Sequence, residues 1–287
     1  MKIQSIGLVF AILTTNCVLN AETAMNDSKK LPGYDTRYGV SADSIKDFTT
    51  DLKMPTPQGM KVRKLNHKGF MRLETDVISA EFIKFAAKSN GIALDVGCSY
   101  GFIPLEVLQA GGKIIANDTD PRHLLILNKA VAPENRKNLI FNTDNFPNNM
   151  DFPKGSINAV SLNRVLHFLT PDELKIAFAK LNNWLPKGGR VFITAMSPYH
   201  PILHFEEEYA KRIAEGVQWP GVITDMKTRL PDIKDDIPDY LHTLSTEVLS
   251  EQLEANGFKV IEERYFDFAS SASPRERAYA GIIAEKI

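Results

Sequence analysis

Cysteine is close to absent from this chain, with Cys17 and Cys98 the only two among 287 residues. If the N-terminus is removed on export, Cys98 stands alone and an internal disulfide becomes impossible. No Cys or His spacing suggests a zinc site, so no metal is expected. The fold must therefore rest on an apolar core, which a chain of this length can supply. A basic excess is missing too: 34 Lys and Arg stand against 35 Asp and Glu, a net charge of −1. Proteins that grip nucleic acid through many phosphates carry a basic excess or a basic stripe, so a nucleic-acid partner is not expected. Internal repeats and low-complexity tracts are also missing. The 44% apolar and 24% charged content is that of an ordinary globular protein, and nothing in it sets an oligomeric state.

Marked apolar runs without charge are confined to the start. Met1-Lys2 precedes the run Ile6 to Leu13, then polar Thr14-Thr15-Asn16, then Leu19-Asn20-Ala21, where a signal peptidase would find a small residue. Together these read as a secretory signal over residues 1–21. The run is short for a span of about 20 residues, so no stable membrane anchor is expected once the signal is cleaved. Thr14-Thr15-Asn16 also lacks the aliphatic and small residues that precede a lipidated cysteine. The expectation is an exported protein, periplasmic or secreted; the alternative is a cytoplasmic one in which residues 1–24 are no signal.

Residues 22–75 are polar and punctuated by Leu31-Pro32-Gly33 and Met54-Pro55-Thr56-Pro57, and read as linker and irregular wrapping before a domain over 76–287. Val77 to Ser89 has the apolar spacing of a helix. Strands are then expected at Ile92–Val96, Lys113–Asn117, Leu139–Asn142, Ile157–Leu162 and Arg190–Ala195. Helices fall between them at Ile103–Ala110, Pro121–Ala130 and Thr170–Trp184. Pro121 suits a first helical turn, and Thr170 with Glu173 makes a capping box. Short apolar strands separated by helices imply a parallel sheet covered on both faces. Residues 196–244 break this rhythm with prolines, aromatics and acids. A helix over Thr246–Ala255 follows, then strands Phe258–Phe268 and Tyr279–Ile287, which are joined by a loop alone and so should pair antiparallel. The expected fold class is α/β: a doubly wound, mostly parallel seven-stranded sheet with an antiparallel C-terminal strand.

Asp95-Val96-Gly97-Cys98-Ser99-Tyr100-Gly101 lies between the first strand and its helix. Ligands of open α/β sheets bind at the carboxyl ends of strands, and glycine lets the backbone approach them closely. A dinucleotide loop has the same look, but three details differ. Asp95 precedes the first glycine and suits a cationic ammonium rather than a pyrophosphate. Ser99 would crowd a pyrophosphate. Asp118, at the end of the second strand, is placed to take both hydroxyls of a ribose. The alternatives are a helix-capping role for Asp95 and a turn role for Asp118 before Pro121.

These segments resemble the class I S-adenosylmethionine-dependent methyltransferases over roughly residues 75 to 287. Ala93 to Gly101 resembles the family's first motif, and Ile115-Ala116-Asn117-Asp118 its second. Asn142 to Pro147 is similar to the segment that meets adenine, and Leu185 to Arg190 to the turn into the fifth strand. The resemblance implies S-adenosyl-L-methionine as cofactor. Asp95 and Gly97 would hold its methionine part, Asp118 its ribose, and Asp144 with Asn145 its adenine, with Cys98, Ser99, Gly101, Thr119 and Phe146 also at the cofactor. Asn163 would lie beside it at the end of the fourth strand. Ser99 replaces the commoner middle glycine, a departure that touches the loop's local shape.

The reaction so implied moves a methyl group to an O or N atom of a small-molecule or protein acceptor. Alignment does most of that work, and a base is needed only where the acceptor must lose a proton. Asn163-Arg164-Val165-Leu166-His167 lacks the Asn-Pro-Pro-aromatic signature for amino groups of adenine or glutamine, and His167 is the candidate base. The insert 196–244 is the candidate acceptor lid, with Tyr199, His200, His204 and Trp219 lining a pocket and Arg229 as an anion partner. A surface subdomain whose aromatics form their own core is the equal alternative. A cofactor-binding protein without catalysis, an RNA methyltransferase and a nicotinamide-dependent oxidoreductase are the competing functions.

Overall fold

A computed structural model describes residues 38–47, 50–268 and 277–287. The expected signal at residues 1–21, Cys17 within it, and residues 22–37 of the expected linker lie outside the described residues. Among the described residues no helix is long and apolar enough to cross a membrane.

The alternation read from the sequence becomes one central sheet. In chain order come β1 (Val40–Ser41), β2 (Lys61–Arg63), β3 (Phe70–Arg72), α1 (Val77–Lys88), β4 (Ile92–Val96), α2 (Phe102–Gln109), β5 (Ile114–Asn117), α3 (Pro121–Ala130), β6 (Leu139–Asn142) and β7 (Ile157–Asn163). Then follow α4 (Pro171–Trp184), β8 (Arg190–Met196), α5 (Glu206–Ala214), β9 (Val222–Ile223), α6 (Met226–Arg229), β10 (Leu241–His242), α7 (Thr246–Ala255), β11 (Phe258–Phe266) and β12 (Tyr279–Lys286). The sheet order is β1-β6-β5-β4-β7-β8-β12-β11. Strands β6, β5, β4, β7 and β8 run parallel; β12 runs antiparallel to both β8 and β11.

Eight strands stand where seven are expected, because Val40–Ser41 adds to the outer edge of β6 in antiparallel pairing. Two residues with no alternation around them give no strand signal. The pairing is fixed instead by contacts far along the chain: the Arg136 guanidinium donates to the carbonyl of Ala42 and to the side chain of Asn128.

The sheet's two faces carry separate cores, as a doubly wound fold requires. Within β5, Ile115 belongs to one core while Ile114 and Ala116 belong to the other, and β8 divides Val191 and Ile193 from Phe192 in the same way. Helices α4 and α7 cover the first face with Phe178, Leu181, Trp184, Leu249 and Leu253. Helices α1, α2 and α3 cover the second with Ile78, Phe82, Val107 and Leu124.

Helix starts are set by local chemistry. The Thr170–Glu173 capping box forms in full, with Pro171 in the first turn of α4. Asp120 caps α3 ahead of Pro121, and Asp76 caps α1 by accepting from the amides of Ile78 and Ser79.

The segment 196–244 leaves and rejoins the sheet at one place, where the Leu244 amide donates to the Met196 carbonyl at 3.0 Å. It has a small core of its own, made by Leu203, Phe205, Tyr209, Ile223, Met226 and Leu241.

Candidate functional site

Three parts of the chain meet over the carboxyl ends of β4 and β7 and enclose a cavity of about 410 Å³. The glycine loop and the β7 exit form its floor, the β2–β3 hairpin one wall, and the 196–244 insert its roof. Asp95, Gly97, Cys98, Ser99, Asn163, His167 and His200 line it, while Gly101, Asp118, Thr119, Asp144, Asn145 and Phe146 do not.

The loop turns through left-handed backbone at Gly97 (φ 69°), Ser99 (φ 52°) and Gly101 (φ 83°). A Cβ at Gly97 would stand 2.8 Å from Val165 Cγ2, closer than real side chains approach. Ser99 is an uncommon residue for such a conformation, and the structure shows what holds it. Its amide donates to Asp118 Oδ2 at 2.8 Å, while the Cys98 amide donates to the Asn117 carbonyl at 2.8 Å. The second strand's tip therefore braces the first loop.

Asp118 is more occupied than a waiting ribose partner would be. Beyond Ser99, its Oδ1 accepts from the Asp120 amide at 2.9 Å. His123 Nδ1 also lies 3.1 Å from Oδ1, without the alignment of a full hydrogen bond. The other ring nitrogen accepts from the Leu65 amide at 3.1 Å, which assigns the proton of a neutral ring to Nδ1. Burial pushes the Asp118 carboxyl up, but His123, the Asp120 amide and the Lys64 charge outweigh it and hold it below its ordinary value. A carboxylate has roughly four lone-pair positions, and these contacts leave it free capacity for one hydroxyl rather than for two.

Asp95 is in the opposite condition. It is 2% exposed, and its Oδ1 has no hydrogen-bond partner. Burial pushes its carboxyl up to about 7, against the hydrogen bond from Ser161. A buried carboxylate lacking a full set of partners is costly, and protonation is how such a group limits the cost. The Ser99 hydroxyl, in the same loop, is also buried without a partner.

Asn163 has no spare capacity. Its Nδ2 donates to Asp76 Oδ2 (3.1 Å) and Ser79 Oγ (2.6 Å), and its Oδ1 accepts from Arg164 Nε (2.8 Å) and Thr194 Oγ1 (3.1 Å). It positions the β7 exit against α1 and β8.

The adenine candidates stand apart from the enclosed cavity. Asp144 joins a network across the strand tips, in which Asn142 Nδ2 donates to Asp144 Oδ2 (2.9 Å) and Asn117 Nδ2 to the Asp144 carbonyl (2.9 Å). Asn145 and Thr119 are exposed, and Phe146 is buried against Trp184 with ring centroids 6.0 Å apart. Gly101 opens α2 with its own carbonyl accepting from the Leu105 amide.

His167 and His200 reach the cavity, but as donors. His167 Nδ1 accepts from the Met196 amide (3.3 Å), and His200 Nδ1 accepts from the Ile202 amide (3.3 Å). Each neutral ring then has its proton on Nε2. Burial, helped by Lys64, Arg164 and His200, lowers His167 to about 3; burial lowers His200 to about 4. The geometry gives His167 an N–H to offer, where the expected base needs a lone pair.

The remaining lid candidates do not line the cavity. Tyr199 stacks under the Arg277 guanidinium (3.3 Å) and packs edge-on against Tyr209 and Tyr265. Trp219 packs edge-on against His242, and His204 is exposed in a left-handed conformation. Arg229 is engaged by Glu208 (2.9 Å) and Asp225 (2.7 Å). The insert is a roof and a subdomain with its own core at once: Phe205 and Tyr209 lie in that core with Leu203, Ile223, Met226 and Leu241, Trp219 packs on the main core, and Ile202, Leu230, Ile233, Ile237 and Leu241 line the cavity.

Sequence reasoning passed over the wall. The β2–β3 hairpin contributes Lys61, Lys64, Met71 and Arg72 to the cavity. Val62 and Met71 pack on Tyr100 of the glycine loop, whose hydroxyl donates to the Arg63 carbonyl at 2.7 Å. Arg63 pairs with Asp236 of the roof at 3.0 Å. The available signal was the density of Lys61, Arg63, Lys64, Lys68 and Arg72 in a chain with no overall basic excess.

Residues 93–189 match the family model of a methyltransferase domain. No curated protein matches the chain. Among solved structures, an S-adenosylmethionine-dependent methyltransferase from Methanosarcina mazei is similar at 15% identity and a TM-score of 0.56, over 75% of this chain and 99% of that one. A protein from Listeria monocytogenes is similar at 17% identity and 0.51, over 73% and 98%. At these identities the likeness is one of fold.

Proposed function

We infer that this chain is a class I methyltransferase that binds S-adenosyl-L-methionine over the β4 loop and methylates a small-molecule acceptor held under the roof, a reading supported by the methyltransferase-domain model matched at residues 93–189. One observation carries the reading: Asp95 lines the cavity with a buried oxygen that no protein group satisfies. An ammonium group is the partner that would restore the carboxylate there, by a charge-assisted hydrogen bond. The unpartnered Ser99 hydroxyl and the bare Cα of Gly97 leave room and polarity for the rest of an amino-acid moiety.

When bound, the cofactor supplies a methyl group already activated by a sulfonium. The chain's residues then bind, orient and keep water away. Asp118 has capacity for one hydroxyl, and Asn163 keeps the floor fixed through its four hydrogen bonds. The roof supplies the dry side. Since His167 and His200 both present N–H, the acceptor atom is one whose lone pair is available without first giving a proton to either ring. A cavity of about 410 Å³ suits a small molecule or a single side chain, within the range of ligand pockets.

Calorimetry with adenosylhomocysteine, followed by labelled cofactor with metabolite, protein and RNA pools, tests this. Binding with label in a small-molecule fraction is expected. Absence of binding overturns the cofactor assignment, and binding without transfer to any pool favours a non-catalytic binder.

A further inference from the structure

The cavity holds more positive charge than the proposed cofactor can use. Its lining includes Lys61, Lys64, Lys68, Arg72 and Arg164 against Glu74 and Asp95, on a chain whose net charge is −1. Arg72 is neutralised locally by its ion pair with Glu74, and its guanidinium lies 3.9 Å from the centroid of the Phe268 ring. Lys64 lies among Asp118, Cys98 and Asp95 of the cofactor loops, where the one carboxylate of a methionine moiety would account for it. Lys68 lies on the exposed rim. Lys61, exposed at the rim, has Asp267 near enough to support its charge, and Arg164 remains without an ion pair among the described residues.

Arg164 is the more telling of the two. It leaves β7 in a left-handed conformation (φ 58°), unusual for a long side chain. Its Nε donates to Asn163 Oδ1 at 2.8 Å, and its guanidinium faces the Phe268 ring at 5.3 Å. No carboxylate lies within ion-pair distance of it among the described residues. Burial and the neighbouring Arg72 both work against its charge, while Tyr279, Asp76 and Glu74 support it from farther away. A half-buried guanidinium held at its Nε, with an aromatic ring but no carboxylate at its tip, is a ready partner for an anion entering the cavity. The roof lines the same cavity with Ile202, Met226, Leu230, Ile233, Ile237 and Leu241, beside the single polar ring of His200.

We propose that the acceptor is an amphipathic anion, a carboxylic acid or phosphate monoester with an apolar body, whose charged group docks on Arg164 with Lys61 at the rim while the body lies under the 196–241 roof. This rests on the methyltransferase reading of the same cavity and names its substrate class. Lys61 adds to the field at Arg164, and the aliphatic roof takes the body, so charge and apolar area are read together. Loss of a charge-assisted hydrogen bond from a partly buried guanidinium lowers affinity by about tenfold to a hundredfold.

The test uses the full chain saturated with adenosylhomocysteine and titrates decanoate, decyl phosphate, decanol and decylammonium. Either anion should bind at least about tenfold tighter than the alcohol, and the ammonium weakest; the better anion distinguishes carboxylate from phosphate. Arg164→Asn keeps a residue tolerant of left-handed backbone and should abolish the preference while leaving decanol binding within about twofold. Lys61→Met, on the exposed rim, should cost about threefold for the anions and keeps the test open if the Arg164 variant does not fold. Anions no tighter than decanol, or a folded Arg164→Asn that keeps wild-type selectivity, overturn the proposal. A protein indifferent to adenosylhomocysteine yet selective for anions keeps this subsite and loses the methyltransferase reading. One that binds adenosylhomocysteine without selectivity does the reverse.

Discussion

Replacing Asp95 by Asn removes a buried carboxylate whose Oδ1 the fold leaves without a partner. Its carboxyl is moved by burial from 3.8 to about 7, so ionising it in the free protein costs on the order of 4 kcal/mol. Between pH 3.8 and about 7 the folded chain keeps a proton that the unfolded chain has released. Asp95 therefore lowers wild-type stability by about 1.4 kcal/mol per pH unit through that window, and by a constant amount above it. Asparagine has no proton to lose. Denaturant titrations of both proteins from about pH 5 to pH 8.5 should show the variant gaining on the wild type as pH rises, reaching a few kcal/mol. Cofactor binding should respond in the opposite sense. An ammonium favours the ionised form, so wild-type affinity for adenosylhomocysteine should fall about tenfold per unit as pH drops below about 7. The variant should be weaker by about tenfold to a hundredfold above that pH and show no such slope. A stability difference independent of pH, or unchanged cofactor affinity in the variant, refutes the reasoning.

Four further outcomes can be checked. His167 is lowered to about 3 by burial, so the unfolded chain takes a proton near 6.5 that the folded chain refuses; His167→Gln should soften the loss of stability below that pH by up to about 1.4 kcal/mol per unit in acid denaturation. Gly97→Ala combines φ 69° with a 2.8 Å approach to Val165, and should lower stability by about 1–2 kcal/mol or more in denaturant titration and weaken adenosylhomocysteine binding. Thr170→Ala removes the α4 capping box and should cost about 0.5–2 kcal/mol in thermal unfolding with no change in cofactor Kd. Arg229→Ala breaks ion pairs of the insert and should change stability by less than about 1 kcal/mol, with decanoate affinity unaltered.

The sheet was legible because its strands are short, apolar and separated by helices with explicit caps. Pro121–Ala130 and Thr246–Ala255 are helices over the expected residues. The Asp95–Gly101 loop was legible because a strand, an acid and two glycines in that order serve few other purposes. What escaped depends on partners distant in sequence. The β2–β3 hairpin has two short strands, and its place is set by Tyr100, His123 and Asp236 rather than by its own pattern. The hydrogen bond from the Ser99 amide to Asp118 links loops 19 residues apart, which turns an expected ribose acid into a brace for the loop. The insert misled for a different reason. Aromatic residues in a segment of 196–244 suggest a ligand pocket, but Tyr199, Phe205 and Tyr209 pack in or on the segment's own core and Trp219 on the main core, and the cavity receives mostly aliphatic side chains from it.

The Leu244–Met196 hydrogen bond, joining the two ends of the insert, has an evolutionary corollary. A cassette whose entry and exit points touch, and which carries its own apolar filling, can be traded or reshaped without disturbing the strands beneath. The platform of strands can stay constant while the canopy diverges, and a canopy grafted between those two positions on a related platform should change the shape of the apolar space above it while the charged groups of the floor and hairpin stay behind.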